Sequence, residues 1–385
     1  MSKRKLIRLT TIGLSIDKLL EGQLAYLNNF FKIIAVSAGD KELLNAVNRE
    51  NIACKTIPFS RNINLINDIR CLYLLIIYFR TEKPLIIHAN TPKASLLSMI
   101  AGYFTKVPIR IYTVTGLRYQ SSKGFKRKML LFFEKITCLL ATSVIPEGKG
   151  VRNDLIKHKI TKKQLNILAN GNINGINTSY FSKTHFSRTK IQEKRKNLLI
   201  SETDFVFLFV GRIVKDKGIV ELVSAFIEFQ KENTISKLLL VGPFEEDLDP
   251  LSEPIKKTIV QHPNIITTGY QEDVRIYFAL SDALVFPSYR EGFPNVVLQA
   301  GAMELPSIVT DINGCNEIIR NGYNGLLIPP KNTEVLLEKM KLLQADTQLY
   351  NQLKAKTRAE VVKKYQQQEV WDALLEEYRR LEANL

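Results

Sequence analysis

Three side chains in the C-terminal half have the types and spacing to hold an anionic group and orient hydroxyls beside it. Two are cations in Gly211-Arg212-Ile-Val-Lys215-Asp-Lys217-Gly218, a run between the apolar strand-like Asp204–Val210 and a helical pattern opening at Ile219. A guanidinium such as Arg212 grips phosphate oxygens as a fork, and an ammonium such as Lys217 adds a mobile point charge. The start of the helix contributes free backbone N–H groups to the same anion site. The third side chain is Glu291, in Phe286-Pro-Ser-Tyr-Arg-Glu291-Gly-Phe-Pro294. Ala283–Phe286 reads as a short buried strand, and Pro287 ends it because proline cannot donate to a ladder. Pro294 has the fixed φ of a first helical turn, and a helical pattern runs from Asn295 to Met303. A carboxylate set beside a helix N-terminus can hold hydroxyls while the N–H groups face an anion.

The wording from Phe286 to Pro306 resembles the donor-binding motif of the retaining glycosyltransferases of family 4, in the GT-B class. That motif has a Glu, seven residues and a second Glu, with Gly-Phe-Pro or similar after the first. Glu291 matches the first Glu. Gln299 stands at the second position, where it can bond a ribose hydroxyl but brings no charge. The earlier stretch is similar to the family's Gly-Arg…Lys-Gly motif at Arg212 and Lys217. The resemblance implies that these two bind the donor diphosphate, that Glu291 positions sugar hydroxyls, and that all three are catalytic. It extends the donor site to Gly292, Phe293, Pro294, Asn295, Val296 and Gln299. Tyr270 joins this set beside a segment that resembles the family's base-reading backbone; simple packing is its other reading. The resemblance also implies a reaction without metal or other cofactor, with a nucleotide-diphosphate sugar as substrate, UDP by default.

The bulk properties bound the partners. The chain has 385 residues, enough for two domains, with 45% hydrophobic and 24% charged residues. A net charge of +16 calls for an anionic partner: nucleic acid, anionic lipid or a phosphorylated small molecule. Cys54, Cys71, Cys138 and Cys315 are scattered, which supports neither a zinc site nor a disulfide framework and fits a reducing cytosol. The basic N-terminus leads into a strand-like run and does not read as a signal peptide. The most apolar run, Cys71–Phe79, is too short to span a bilayer. A cytoplasmic protein, free or attached to the inner face of a membrane, is expected.

The elements that must position these residues alternate. Leu6–Thr11, Lys32–Val36, Ala53–Ile57, Leu85–His88, Ile109–Thr113 and Asn166–Leu168 read as strands, and Lys18–Asn29 and Ala94–Phe104 as helices between them. Such βαβ alternation predicts a doubly wound parallel sheet. No G-x-G-x-x-G follows the first strand, which counts against a dehydrogenase. Further strands are expected at Leu238–Val241, Ile265–Thr268, Pro306–Thr310 and Leu326–Ile328, and Glu334–Leu385 reads as helical. The resemblance implies a GT-B α/β fold, with two Rossmann-like domains facing a cleft. Its parts would be an acceptor domain over residues 1–175, a donor domain over 176–364, and a helix over 365–385 that crosses back to the first domain, with Trp371 as its anchor. The Asn/Gly-rich run at 170–177 resembles the family's hinge.

The first half adds candidates at predicted strand ends. His88 precedes Asn90-Thr91-Pro92-Lys93; it either fixes a loop or faces the ligand crevice. The resemblance favours the crevice, because family members of the capsule and O-antigen type carry similar His-x-x-Thr-Pro-Lys-Ala wording. In Tyr112-Thr-Val-Thr-Gly-Leu-Arg118, many relatives have a catalytic histidine where Thr115 stands. Gly116 permits close backbone approach, and Arg118 reads either as a partner for an anionic acceptor or as a solvated cation. The stretch 118–138 combines basic residues with Met129–Phe133. It fits an amphipathic helix on an anionic membrane surface, or a core helix with one wet face.

Three functions stand at this point. The first is a glycosyltransferase moving a sugar to a saccharide or polyprenyl-diphosphate-linked acceptor in surface-polysaccharide synthesis. The second is a nucleotide-sugar epimerase of similar fold, which would need more acids and histidines than the four histidines present. The third is a basic nucleic-acid-binding protein, for which no binding module is seen.

Overall fold

The computed structural model describes residues 3–246 and 249–385; the side chains of Arg118 and Ser121 lie outside the described part. Two compact units are present. The chain up to Gly175 joins Gln367–Leu385 in the first, and Ile176–Gln366 form the second.

In the first unit the strands are β1 (Lys5–Leu9), β2 (Lys32–Ser37), β3 (Ala53–Thr56), β4 (Ile86–Ala89), β5 (Ile109–Val114) and β6 (Ser143–Pro146). They form a parallel sheet in the order β3-β2-β1-β4-β5-β6. The second unit repeats the plan with β7 (Phe205–Val210), β8 (Ser236–Val241), β9 (Ile265–Thr267), β10 (Ala283–Phe286), β11 (Ser307–Thr310) and β12 (Gly325–Ile328), ordered β12-β11-β10-β7-β8-β9 and again parallel. Both are Rossmann-like. In each, the order turns outward in opposite directions from one pair, β1 with β4 and β7 with β10. The loops leaving the carboxyl ends of such a pair diverge and open a crevice.

Apart from the exposed edge strand β3, the strands are largely apolar because both sheet faces are covered. Phe205–Val210 contains no polar residue, and Phe207, Phe209 and Phe286 are buried. Phe209 on β7 and Phe286 on β10 stack at 5.9 Å, which fixes the two strands whose ends form the crevice. Arg8 is the exception in the first unit, a fully buried cation in the middle of β1.

Two expectations need correction, and one strand is additional to them. Ser143–Pro146 is a strand paired with β5, although its few residues and terminal proline hid it. Asn166–Leu168 is not a strand; the neighbouring Leu165 makes one isolated bridge to Val144. The expected helix over Lys18–Asn29 is broken into Gly13–Leu19 and Gln23–Asn28. The ring of Trp371 packs over Gly22 at that break.

The last helix, Gln367–Ala383, belongs to the first unit. Its Trp371 stacks near Tyr26 at 5.5 Å and donates its indole N–H to Asn174 Oδ1 at 2.6 Å. Its Tyr378 is buried against Phe31 and His88. Among the described residues no helix is long and apolar enough to cross a membrane.

Candidate active site

The crevice of the second unit is built by two loops. The first follows β7 and runs from Gly211 through a single 3₁₀ turn, Lys215–Lys217, into helix Ile219–Gln230. The second follows β10 and runs from Pro287 to Pro294, which caps helix Asn295–Ala302. Because β7 and β10 are neighbours, the loops meet. The Tyr289 N–H donates to Asp216 O at 2.8 Å, and Arg290 Nη2 lies 3.3 Å from Asp216 Oδ2. Gly218 closes the first loop with φ +72°. A Cβ there would stand 2.1 Å from Pro287 O, so no larger residue fits. Asp249, the second acid of an Asp-Leu-Asp run, braces the same turn by accepting from the Asp216 N–H at 2.7 Å. The other acid of that run, Asp247, lies outside the described residues.

This meeting pairs Lys217 with Glu291. The Lys217 ammonium bonds Glu291 Oε1, and Ser288 Oγ donates to the same oxygen at 2.6 Å. Both Lys217 and Glu291 are about five-sixths buried, at 18% and 14% side-chain exposure. Oε1 thus has two donors, and no donor to Oε2 is found among the described residues. Lys217 also stands over the Phe286 ring at 5.3 Å. Ser288 is itself buried and fixed, since Thr310 Oγ1 on β11 donates to its carbonyl. Arg212 is more open at 40% exposure and rests 3.5 Å from Glu245. The carboxyl side of the loop is set by a close approach. Gly314, at φ +74°, lies so near that a Cβ would be 2.3 Å from Gly292 O. Cys315, next in the chain, is buried, and burial with the nearby Glu291 charge pushes its thiol well above the usual range. It is a packing group and not a nucleophile.

The remaining predicted donor residues fall around this pair. Gly292, Phe293 and Pro294 are buried, and Phe293 packs on Tyr365 at 5.5 Å. Asn295 and Val296 open the helix and are half-buried. Gln299 lies one turn further on; its backbone carbonyl accepts from Met303 N at 2.9 Å, and its side-chain amide has no partner among the described residues. Tyr270 is 56% exposed, in the loop after β9.

In the first unit, Thr91 and Thr115 come together at the ends of β1, β4 and β5. Thr91 Oγ1 accepts from Thr11 N at 2.8 Å, and Thr115 Oγ1 donates to Asn90 O at 2.9 Å. Gly116 has φ +137° beside them. Lys93 instead braces a loop: it pairs with Asp68 at 2.7 Å and bonds Ser60 and the Asn62 carbonyl. The expected placement of Arg118 falls on a side chain outside the described part.

His88 does not reach the crevice. It is 1% exposed and both ring nitrogens are engaged, Nδ1 with Arg8 and with Tyr378 OH at 2.6 Å, and Nε2 with Thr113 Oγ1 at 2.7 Å. Arg8 Nη1 donates to Tyr378 OH at 2.8 Å and Nη2 to Asn90 Oδ1 at 3.0 Å. Burial, and then the Arg8 charge, hold the imidazole well below its usual 6.5. Its work is to let a buried arginine and the last helix share one polar network. A lone Arg in an apolar strand was the available sign of this cluster.

Two loops with cations at a switch point, one carboxylate paired between them, and a twofold Rossmann-like plan point to an enzyme class, and the comparisons agree. The family described as "Glycosyl transferases group 1" matches residues 190–360. The capsular polysaccharide biosynthesis glycosyltransferase CapM of Staphylococcus aureus is 34% identical over 376 residues, 97% of this chain and 96% of that protein. The UDP-Gal:alpha-D-GlcNAc-diphosphoundecaprenol alpha-1,3-galactosyltransferase of Escherichia coli is 28% identical over 70% of this chain and 68% of its own length. In fold, the chain matches Anabaena Alr3699/HepE, solved in complex with UDP and glucose, with a TM-score of 0.82 at 16% identity, over 98% of this chain and 100% of that one. This chain therefore belongs to the group 1 glycosyltransferases, of the family 4 type with the GT-B fold. A likeness in fold to a putative UDP-N-acetylglucosamine 2-epimerase of Listeria monocytogenes is lower, with a TM-score of 0.66 at 13% identity over 97% of this chain and 95% of that one.

Proposed function

We propose that this glycosyltransferase moves a sugar, with retention, from a UDP-sugar to a saccharide carried on a polyprenyl diphosphate, in the assembly of a surface polysaccharide. The observation that carries the proposal is the Lys217–Glu291 pair, which sets one cation and one carboxylate side by side at the strand-end crevice. The relatives support the reading: the E. coli enzyme is named for UDP-Gal and a diphosphoundecaprenol-linked acceptor, and a Campylobacter jejuni relative for a diphospho-undecaprenol acceptor.

In the reaction the bond between the sugar C1 and the diphosphate oxygen breaks, and a bond from C1 to the acceptor oxygen forms. Negative charge grows on the leaving diphosphate. Arg212 and Lys217 oppose it, with the N–H groups at the start of helix Ile219–Gln230 behind them. Two protein cations neutralise the leaving group without a metal. Glu291 Oε2 accepts from a sugar hydroxyl and orients the ring. Gln299 and the start of helix Asn295–Ala302 hold the ribose and phosphate side. No side chain is assigned as a nucleophile, so the acceptor attacks from the face the diphosphate leaves, and the acceptor proton passes to a leaving-group oxygen.

The first unit carries acceptor recognition, through Thr91, Thr115, Gly116 and Arg118. Its helix Gly124–Leu140 turns Phe125, Phe132 and Leu139 outward with Lys128 and Lys135 between them, which suits the anionic surface of the cytoplasmic leaflet. The test is to incubate the protein with a panel of UDP-sugars and a polyprenyl-diphosphate-linked saccharide, with and without a chelator. The expected product is an extended lipid-linked saccharide in both conditions. A free epimerised sugar nucleotide, or dependence on added metal, contradicts the proposal.

A further inference from the structure

Helix Leu65–Glu82 of the first unit is apolar on both sides. Cys71, Leu75 and Phe79 face inward and are buried. On the outer face Ile66 is 84% exposed, Ile69 59%, Tyr73 63% and Ile77 45%. At helical pitch these four fall within an arc of about 80°. Leu65 at the helix start and Ile63 in the preceding loop, both exposed, extend the stripe. A surface helix ordinarily turns its polar residues outward. An apolar stripe several turns long on the outside marks a surface that meets something apolar.

The charges around the stripe identify that partner. Between residues 61 and 83 every exposed charged residue is a cation: Arg61, Arg70, Arg80 and Lys83. The two exceptions in sign, Asp68 and Glu82, are less exposed and are held by Lys93 and Lys5 at 2.7 and 2.8 Å. At the C-terminal end of the helix an open pocket of about 620 Å³ is lined by Arg4, Lys5, Arg80, Lys83 and Lys106 beside Phe79 and Leu85. Arg80, Lys83 and Lys106 have no carboxylate partner among the described residues. A symmetric pairing of two copies would bring together two surfaces whose exposed charges are all cations, with no carboxylate to answer them. A bilayer with anionic headgroups satisfies both features, because isoleucines reach the acyl boundary, tyrosine sits at headgroup depth, and arginine and lysine extend to phosphates.

We propose that helix Leu65–Glu82 is the apolar anchor of this chain on an anionic membrane. Ile66, Ile69, Tyr73 and Ile77 enter the interface, and Arg70 with the basic pocket at Arg80, Lys83 and Lys106 binds lipid phosphates. The proposal draws on the reading above only in expecting the acceptor to be membrane-borne. Helix Pro92–Phe104 packs against both this helix and Gly124–Leu140, so the two outward stripes belong to one helical layer.

The test is vesicle flotation of the full chain, with phosphatidylcholine vesicles that contain or lack phosphatidylglycerol. The parent is expected to float with the anionic vesicles. The double variant Ile66→Gln/Ile69→Gln is expected to lose about tenfold or more of that partition. Arg80→Gln/Lys83→Gln is expected to lose the preference for phosphatidylglycerol. Both are expected to keep the parent's thermal unfolding and its stabilisation by UDP-sugar. The proposal is overturned if Ile66→Gln/Ile69→Gln partitions like the parent, or if only Lys128→Gln/Lys135→Gln matters. It is also overturned if the parent is a dimer that Ile66→Gln/Ile69→Gln makes monomeric without changing flotation. Flotation that persists while no nucleotide sugar binds would leave the anchor standing and remove the transferase reading instead.

Discussion

Lys217 and Glu291, 74 residues apart in the chain, share an ion pair through Glu291 Oε1, and Ser288 adds a hydrogen bond to the same oxygen. The pair exists because β7 and β10 are adjacent, so their following loops are forced together. It gives Glu291 one fixed oxygen and one available oxygen, and in the proposed reaction it keeps Lys217 beside the sugar-bearing end of the diphosphate. Removing the cation removes stabilisation that matters most when the leaving group is most charged. Lys217→Ala is expected to lower kcat by about 10²–10³. Steady-state kinetics with a saturating acceptor check this; an unchanged kcat with only a raised KM would put Lys217 in ground-state binding alone.

Ser288 is buried and bonds Glu291, which makes it a positioning residue in the proposed reaction. Its hydroxyl donates to Oε1 at 2.6 Å, and Thr310 on β11 holds its carbonyl. Ser288→Ala leaves the carboxylate charged but free to rotate. A loss of about one hydrogen bond's worth, ~1–1.5 kcal/mol or about tenfold in kcat/KM, is expected. Ser288→Thr is expected to recover part of it, by keeping the hydroxyl. Equal loss in both variants would show a packing defect.

Gly218 is a backbone requirement. Its φ is +72° and the space for a Cβ is filled by Pro287 O at 2.1 Å. Gly218→Ala is expected to cost ~1–3 kcal/mol of stability from the backbone conformation alone, with more from the contact. It also parts the two loops, so stabilisation by UDP-sugar is expected to fall with it. Thermal unfolding with and without donor measures both effects.

The pH dependence of stability contains two opposed terms in the first unit. His88 stays neutral when folded, held down by burial and then by Arg8, whereas the unfolded chain takes a proton below about pH 6.5. Its contribution is full above that pH and is lost as the pH falls below it. Glu134 runs the other way. Burial pushes its carboxyl up to about 7, and Tyr112 OH donates to it at 2.8 Å. The folded chain keeps a proton there that the unfolded chain releases above its ordinary carboxyl range, so stability falls as pH rises to and through 7. Denaturant unfolding across about pH 4.5–7.5 should separate them. Relative to the parent, His88→Gln is expected to lose less stability on acidification, and Glu134→Gln less on the way up to neutrality. Curves parallel to the parent's would contradict both assignments.

The sequence was informative where one local rule decided the outcome. Apolar runs such as Phe205–Val210 and Ala283–Phe286 read as covered strands and are strands, and Gly218 after two spaced cations reads as a tight turn and is one. It was uninformative where the deciding partner was distant. Ser288 and Thr310 look like ordinary strand-end hydroxyls until β10 and β11 are paired. Arg8 and His88 cannot be recognised as neighbours until β1 meets β4 and Tyr378 arrives from the far end of the chain. Ser143–Pro146 was missed because it is a short edge strand closed by proline, with little apolar signal of its own. The outward Ile66–Ile77 stripe was hidden because a helix that is apolar all round reads as core.

The central claim is that Arg212 and Lys217 hold the donor diphosphate and Glu291 the sugar. Calorimetric titration of UDP and of the matching UDP-sugar into the parent, Arg212→Ala, Lys217→Ala and Glu291→Gln proteins tests it most directly. The account predicts that both cation variants weaken UDP itself, by about tenfold or more each. It predicts that Glu291→Gln binds UDP like the parent but loses the added affinity given by the sugar. Undiminished binding of UDP by Arg212→Ala and Lys217→Ala together would contradict it.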